Sequence, residues 1–304
     1  PHVLESGMTS YYDNIIDVSN RGVEVAIGGY PVRGKNFSWS SDLNISVNRN
    51  RIESLNNAQI NSYMQDAFIV GRPAGTVKGY VVDHIVQNMD EVNQLNAKAM
   101  ENGYAEYQSG TGVGDFLMKD IDGNGVITSD DRDVIATPEA KFFGGWTNTF
   151  TYKNFSLSFL MQFSYGGQAV YSNLGEEMSG VLGQSVGREL YGNTWTPERT
   201  DAKYARLVAG SMSYNYQVND RFVFDTSYLR MKNVTFSYSL PKEWINKCYL
   251  SNASVFVTAT NLFTVTEWPG LDPETVSTGI TSMGTNSDPY PLSRSFSLGV
   301  KLQF

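Results

Sequence analysis

Residues 291–304 alternate between apolar and polar side chains up to the last residue of the chain. One face of an extended strand would carry the apolar members, which are Leu292, Phe296, Leu298, Val300, Leu302 and Phe304. The opposite face would carry Ser293, Ser295, Ser297, Gly299, Lys301 and Gln303. Because successive side chains of a strand point to opposite faces, the pattern predicts a strand with one apolar and one wet face. Such strands are typical of transmembrane barrels or of one half of a sandwich.

The same pattern occurs six more times, which predicts seven strands. They are 22–31, 36–48, 141–153, 155–171, 228–240, 254–265 and 291–304, with a short helical turn beginning at Pro241. The connections are in turn short, very long, short, very long, medium and long. Outer-membrane barrels combine short periplasmic turns with long outer loops, so residues 51–140 and 172–225 are predicted to be long extracellular loops.

The predicted fold class is all-β, an antiparallel transmembrane β-barrel segment of about seven strands. An odd number of antiparallel strands cannot close alone, because two parallel edges would have to meet. We therefore expect all 304 residues to form the carboxy-terminal part of a larger barrel whose earlier strands are absent. The chain begins at Pro1 without an initiator methionine or signal peptide, which favours a fragment or a processed piece.

Composition hides this pattern. The net charge of -8, the mean hydropathy of -0.30 and a 41% share of hydrophobic residues resemble those of an ordinary acidic soluble protein. Barrel strands hide their apolar residues at every second position, whereas a membrane-spanning helix needs a run of ~18 apolar residues, which is absent. The acidic balance argues against a nucleic-acid partner. Cys248 is the single cysteine and cannot form an internal disulfide.

Four segments resemble the carboxy-terminal region of the SusC/RagA family of TonB-linked outer-membrane transporters. They are GDFLMKDIDGNGVITSDDRDVIATPEAKFFGGWTNTFTYKNFSLSFLMQFSYGGQAVY, YLRMKNVTFSYSLPKEW, VFVTATNLFTVTEWPGLDPE and YPLSRSFSLGV. The resemblance implies a plugged barrel of about 22 strands, of which this chain supplies the last seven. It also implies a SusD-like surface lipoprotein, a dimer of transporter–lipoprotein pairs, and energy from TonB through an amino-terminal region that is absent here.

The predicted function is TonB-dependent import of an oligosaccharide or peptide across the outer membrane of a Gram-negative bacterium. The alternative is an outer-membrane or extracellular β-domain that serves adhesion or assembly without active transport. An enzyme is not predicted, because the only histidines are His2 and His84, and His84 has no partnered nucleophile motif nearby.

Residues 120–131 match a calcium-loop template, with aspartate in place of glutamate at the last position. Hard cations prefer oxygen ligands at alternate positions of a tight loop, with Gly125 at the sharp turn. The predicted ligands for Ca²⁺ are Asp120, Asp122, Asn124, Val126 through its carbonyl, Thr128 and Asp131. The alternative is a metal-free turn in which these side chains cap backbone amides.

Two sets of aromatic residues complete the predictions. The long loops carry aromatics that could contact cargo or a partner, or pack the loops: Tyr104, Tyr107, Tyr191, Trp195, Tyr204, Tyr214 and Tyr216. A membrane-interface girdle close to strand ends is predicted at Trp39, Trp146, Tyr152, Phe155, Tyr238 and Phe304. The family resemblance further implies that the terminal Phe304 strand is read by the barrel-insertion machinery.

Overall fold

The computed structural model describes residues 16–55, 68–178, 185–208, 214–246, 249–275, 285–286 and 290–304. Within them the strands are β1 (Ile16–Arg33), β2 (Phe37–Leu55), β3 (Val77–Gly79), β4 (Val82–Ile85), β5 (Phe116–Met118), β6 (Asp133–Ala136), β7 (Phe142–Tyr152), β8 (Phe155–Tyr165), β9 (Gln168–Tyr171), β10 (Val223–Asp225), β11 (Tyr228–Ser239), β12 (Asn252–Thr260), β13 (Thr264–Thr266), β14 (Thr285–Asn286) and β15 (Ser295–Gln303). The helices are α1 (Met89–Glu101), α2 (Asn173–Met178) and α3 (Lys242–Ile245), with 3-10 turns at Ser129–Asp131, Tyr214–Tyr216, Asp220–Phe222 and Pro273–Thr275. Across these ranges, each helix is too short or too polar to cross a membrane.

Seven long strands form one antiparallel sheet in the order β1-β2-β7-β8-β11-β12-β15, and β13 is a further partner of β11. These are the seven strands that the alternating pattern predicts. Each of these seven strands pairs with the next of the seven along the chain, as in a meander. The short connections 34–36, 153–154 and 240–251 lie at one end of the sheet, which we call the turn end. The long connections lie at the opposite end, the loop end.

Several strand boundaries differ from the predictions. β2 continues to Leu55, so the first long connection begins later than residue 51. The strand expected over 155–171 ends at Tyr165, because Gly166 and Gly167 adopt φ angles of 75° and 92° that direct β9 into a different sheet. Asn261, with φ of 50°, similarly ends β12, and the chain returns as β13 against β11.

One face of the main sheet is apolar and the other is polar, as predicted. Val25 lies opposite Ile45, and Val257 lies opposite Leu298, on the face that carries the apolar rows. These side chains are open to the surroundings: Leu298 is 75% exposed and Val300 is 61% exposed. Exposed apolar rows of this extent are unusual for a soluble monomer and indicate contact with lipid or protein.

A β-bulge at Lys232 corrects an apparent error in the alternation of β11. Met231 lies opposite Met161, but Asn233 lies opposite Leu160, so Lys232 is the extra residue. Without the bulge, Arg230 would share the apolar face with Val234. With the bulge, Arg230 lies opposite Gln162 on the polar face. The single extra residue therefore keeps a charged side chain away from the apolar rows.

The hydrophobic core lies outside the main sheet, in a body at the loop end that we call the cap. The cap consists of the described residues of 68–141, 166–226 and 267–275. Its buried core includes Tyr80, Phe116, Met118, Val170, Leu174, Leu190, Tyr204, Phe222 and Trp268. The long connections are thus folded, as expected for loops of this length. The cap positions all the loop side chains that the sequence marks as candidates.

Candidate functional site

The acidic loop lies between β5 and β6 and brings three of its predicted ligands together. Asp120, Asp122 and Asp131 each offer a carboxylate oxygen, and these oxygens lie within 4.8 Å of one another. Asp122 is exposed and Asp131 is buried, so the cluster extends from the surface into the cap. Two further predicted ligands contact these carboxylates: Asn124 donates from Nδ2 to Asp122 at 2.8 Å, and the Thr128 hydroxyl lies 3.5 Å from Asp131. The amide of Val126 donates to the Asn124 side chain at 2.9 Å.

Backbone amides of the same loop already bind these carboxylates. Asp120 accepts hydrogen bonds from the amides of Gly123 at 2.7 Å and Gly125 at 2.8 Å. Asp131 accepts from the amides of Ile121 at 2.8 Å and Thr128 at 2.7 Å. Gly125 has φ of 88°, as the predicted sharp turn requires. The loop is therefore shaped by Asx-type hydrogen bonds, with the carboxylates grouped on one side.

Most of the loop aromatics pack inside the cap. Tyr204 is fully buried, and its hydroxyl donates to Glu189 at 2.9 Å. Tyr107, Trp195, Tyr214 and Tyr216 are partly buried and pack against the same core. Burial raises the pKa of Tyr107 to about 12, and the nearby Asp120 carboxylate adds to this effect. In this structure these residues stabilise the cap.

Two of the loop aromatics remain open to solvent. Tyr191 is 84% exposed and Tyr104 is 41% exposed. Of the seven predicted contact residues, these two have rings available to a ligand or partner. Tyr204 in particular cannot present its ring to cargo in this structure.

Five of the predicted girdle residues lie at the turn end of the sheet. Tyr152 and Phe155 flank the short 153–154 turn, and the rings of Phe155 and Tyr238 are 4.7 Å apart. Trp39 is the third residue of β2 and stacks on Phe150 at 5.7 Å. Phe304 follows the last strand and is 90% exposed.

Trp146 does not lie close to a strand end. It is the fifth residue of β7 and lies opposite Leu43 and Met161, well inside the apolar rows. Its indole nitrogen donates to the Ser41 hydroxyl at 2.9 Å, and Trp39 donates to the buried Asn148 at 2.9 Å. The two indoles therefore satisfy the Ser41 hydroxyl and the Asn148 side-chain oxygen among the apolar side chains, whereas the buried Asn148 Nδ2 has no hydrogen-bond partner among the described residues.

A buried charge cluster on the polar face was not predicted. Arg230 is 2% exposed, and its guanidinium contacts the carboxylates of Asp272 and Glu274 at 2.5 Å each. Lys232 contacts Glu274 at 3.2 Å, and Tyr228 and Gln162 also donate to that carboxylate. Burial raises the pKa of Asp272, but the Arg230 hydrogen bond and two backbone amides outweigh it, so the net pKa is lowered. The cluster fastens the 271–275 segment to β11.

His84 lies between two carboxylates on the cap surface. Its Nδ1 is 2.8 Å from Asp83 and its Nε2 is 3.0 Å from Glu91. Partial burial lowers the pKa of His84, but hydrogen bonds to both carboxylates outweigh that effect and raise it above 6.5. The imidazole has no nucleophile among these neighbours, in keeping with a structural role. His2, Cys248 and Pro1, which also figure in the sequence predictions, lie outside the described residues.

Curated relatives match almost the entire chain. The TonB-dependent receptor P3 of Formosa agariphila is 29% identical over 98% of this chain and 30% of its own length. The TonB-dependent receptor SusC of Bacteroides thetaiotaomicron is 28% identical over 96% of this chain and 27% of its own length. The chain thus spans less than a third of the relatives it matches. They are receptors, not enzymes, as the sequence predicts. No family model matches.

Solved structures show the same fold. The RagAB peptide transporter superposes with a TM-score of 0.73 and 21% identity, covering 100% of this chain and 31% of that one. The RagAB peptide importer in its open-open state superposes with a TM-score of 0.71 and 19% identity, again covering 100% of this chain and 31% of that one. These neighbours confirm the predicted fold class, an antiparallel segment of an outer-membrane-type barrel.

Proposed function

We propose that this chain, whose resemblance to the SusC/RagA family is confirmed over its whole length, forms part of the wall of a TonB-dependent importer in the outer membrane. The apolar face of the main sheet contacts lipid, and the polar face lines the lumen. The turn end then faces the periplasm, and the cap faces the cell exterior.

The exposure of the apolar rows is the observation that carries this proposal. Phe236, Leu157 and Trp146 lie on interior strands of the sheet and are 47%, 37% and 37% exposed, although a soluble fold would cover them. Along β2 the apolar band runs from Trp39 to Val47, and eight residues of strand span about 26 Å. Because barrel strands tilt by roughly 35–45°, this length corresponds to a height of about 20 Å, which is most of the roughly 25 Å apolar band of outer-membrane barrels.

The cargo we propose is an oligosaccharide or a peptide, delivered with the help of a SusD-like surface lipoprotein. The similarity to a transporter named for peptides supports the peptide class. The exposed rings of Tyr191 and Tyr104 on the cap are suited to stack on a sugar ring or to contact such a lipoprotein. TonB would supply energy through a region outside this chain.

The test is uptake by cells that carry the full-length protein. Deleting its gene should abolish growth on one oligosaccharide or peptide source, and the intact gene should restore growth only when TonB is present. The lipoprotein should co-purify with the full-length protein. Complementation that is independent of TonB would instead favour the adhesion or assembly role.

We further propose that the acidic loop binds Ca²⁺. Three carboxylates that converge within 4.8 Å repel one another, and a divalent cation would relieve that repulsion. The fit is partial, because the aspartate at the last position is shorter than the usual glutamate and both oxygens of Asp131 already accept amides. Both oxygens of Asp120 also accept amides, from Gly123 and Gly125, so the exposed Asp122 would supply the most accessible oxygens.

Calorimetry on the full-length protein tests the calcium proposal. Asp122→Ala should weaken Ca²⁺ binding at least tenfold, because it removes one of the three clustered carboxylates. Asp130→Ala is the matched control, since Asp130 is an exposed carboxylate of the same loop outside the cluster. Equal binding by both variants, or no heat with the unmodified protein, would refute the site.

A further inference from the structure

Three arginines extend the apolar face of β1 and β2 toward the loop end. Val23 lies opposite Val47, and the next pair on the same face is Arg21 opposite Arg49. Arg51 follows, opposite Ser19. The register is unbroken over these pairs, so all three arginines lie on the lipid-facing side, directly beyond the apolar rows. We call these three residues the arginine row.

The row concentrates positive charge in an acidic chain. Like charges directly opposite each other destabilise an antiparallel pair, and Arg51 is the diagonal neighbour of Arg21, roughly 7–8 Å away. The nearest carboxylates neutralise the row only in part: Arg51 lies 3.5 Å from Glu53, and Arg49 lies 4.0 Å from Glu139. Arg21 forms no ion pair with any residue that the structure describes.

The arginines differ in how much of their hydrogen-bonding capacity is used. Arg49 donates to the carbonyls of Asn48, Ala140 and Lys141 at 2.7–2.9 Å, so it fastens β2 to the start of β7. Arg21 is exposed and the Arg51 side chain is 62% exposed. The Arg21 guanidinium and the terminal nitrogens of Arg51, whose Nε faces Glu53, are therefore available to an external anion.

From this placement we infer that the arginine row binds the phosphate of an anionic lipid headgroup in the outer leaflet. Arg49, the first of the row on β2, lies ten residues beyond Trp39, which is about 33 Å along the strand. At a strand tilt of roughly 35–45° this is about 25 Å of height, where the hydrocarbon region ends. Arginine binds phosphate bidentately, and long basic side chains at this height reach the interface.

This inference rests on the proposed function, because it needs the apolar face to contact lipid. The test uses the full-length protein in nanodiscs made of equal parts of phosphatidylcholine and phosphatidylglycerol, with retained lipids identified by native mass spectrometry. The double variant Arg21→Gln/Arg51→Gln should reduce retained phosphatidylglycerol about 30-fold, because each cation near the membrane surface contributes about fivefold to binding of an anionic lipid. Phosphatidylcholine retention should not change.

The matched control is Arg188→Gln with Arg199→Gln, which removes the same charge from exposed positions in the cap. Equal phosphatidylglycerol retention by the test and control variants would overturn the inference. Arg21→Lys keeps the positive charge and should retain most of the phosphatidylglycerol. It therefore tests the role of the charge even if the double Gln variant misfolds. A protein that fails to enter nanodiscs at all would overturn the membrane placement instead, so the two failures are distinguishable.

Discussion

At the scale of residues, the ion pairs of one side chain, Arg230, attach a segment of the cap to the main sheet. Arg230 is almost completely buried, yet it carries a charge that Asp272 and Glu274 balance from a segment more than forty residues away. A buried ion pair contributes little net stability over an apolar pair, but removing one partner leaves a buried charge uncompensated. The cluster should therefore be sensitive to any change that alters one partner alone.

Arg230→Met should release the 271–275 segment from β11 and lower the free energy of unfolding of the cap by about 3–5 kcal/mol. Hydrogen exchange of the segment in the full-length protein would measure the release. Glu267→Gln is the control, because Glu267 is exposed and lies outside the cluster. Unchanged protection in Arg230→Met would contradict the role given to this residue.

His84 should give the cap a modest pH dependence. Its pKa is raised above 6.5 in the folded protein, so its contribution to stability is complete below 6.5 and is lost as the pH rises through the folded value. The effect is small, since the His84 side chain is 38% exposed and solvent screens its ion pairs. His84→Gln should remove the dependence, and an NMR titration of the imidazole would check the direction of the shift.

At the scale of elements, the proposed membrane placement depends on which face of a strand each side chain occupies. Leu298 and Ser297 are adjacent in β15 but point to opposite faces. Leu298→Arg should impair barrel assembly, because a cation on the lipid face near the bilayer centre costs about 2–4 kcal/mol. Ser297→Arg is the matched control and should be tolerated in the lumen. Heat-modifiable mobility of the full-length protein in gels would report assembly, and an equal defect in both would count against the assignment of faces.

The alternation of side chains predicted all seven main strands, because its period of two is a direct property of extended backbone. It could not locate the bulge at Lys232 or the break at Gly166 and Gly167, since both depend on pairing with neighbouring strands. Helix α1 was missed although Asn88 caps it, accepting from the amides of Asp90 and Glu91. That capping signal was available in the sequence.

The candidate sites were predicted to different extents. The acidic loop could be found because its ligands are close in sequence, whereas Arg230 and Glu274 meet only through the tertiary fold. The arginine row was visible in the alternation, because Arg49 and Arg51 continue the positions of Ile45 and Val47. The predicted second strand ended at residue 48, so the continuation was overlooked. Burial of loop aromatics such as Tyr204 has no local signal.

At the scale of the molecule, the cap and the sheet should lose structure separately. Phe222 is 1% exposed in the cap core, and Phe222→Ala should destabilise the cap by about 3–5 kcal/mol through the cavity that it creates. The full-length variant on cells should become sensitive to external protease while the barrel stays assembled. Tyr191→Ala is the control, because that ring is 84% exposed and packs little. Loss of the assembled barrel in Phe222→Ala would show that the two parts are coupled.

The location of the hydrophobic core also affects how such a protein can diversify. Exclusion of apolar side chains from water stabilises the cap. In the proposed membrane placement, hydrocarbon solvates the outer rows of the sheet, and hydrogen bonds between strands hold the sheet in register. Insertions, deletions or exchanges of side chains in the cap can therefore accumulate without altering the strand pairing beneath it. Under the proposed function, a lineage could alter what it captures outside the cell while inheriting the same barrel wall.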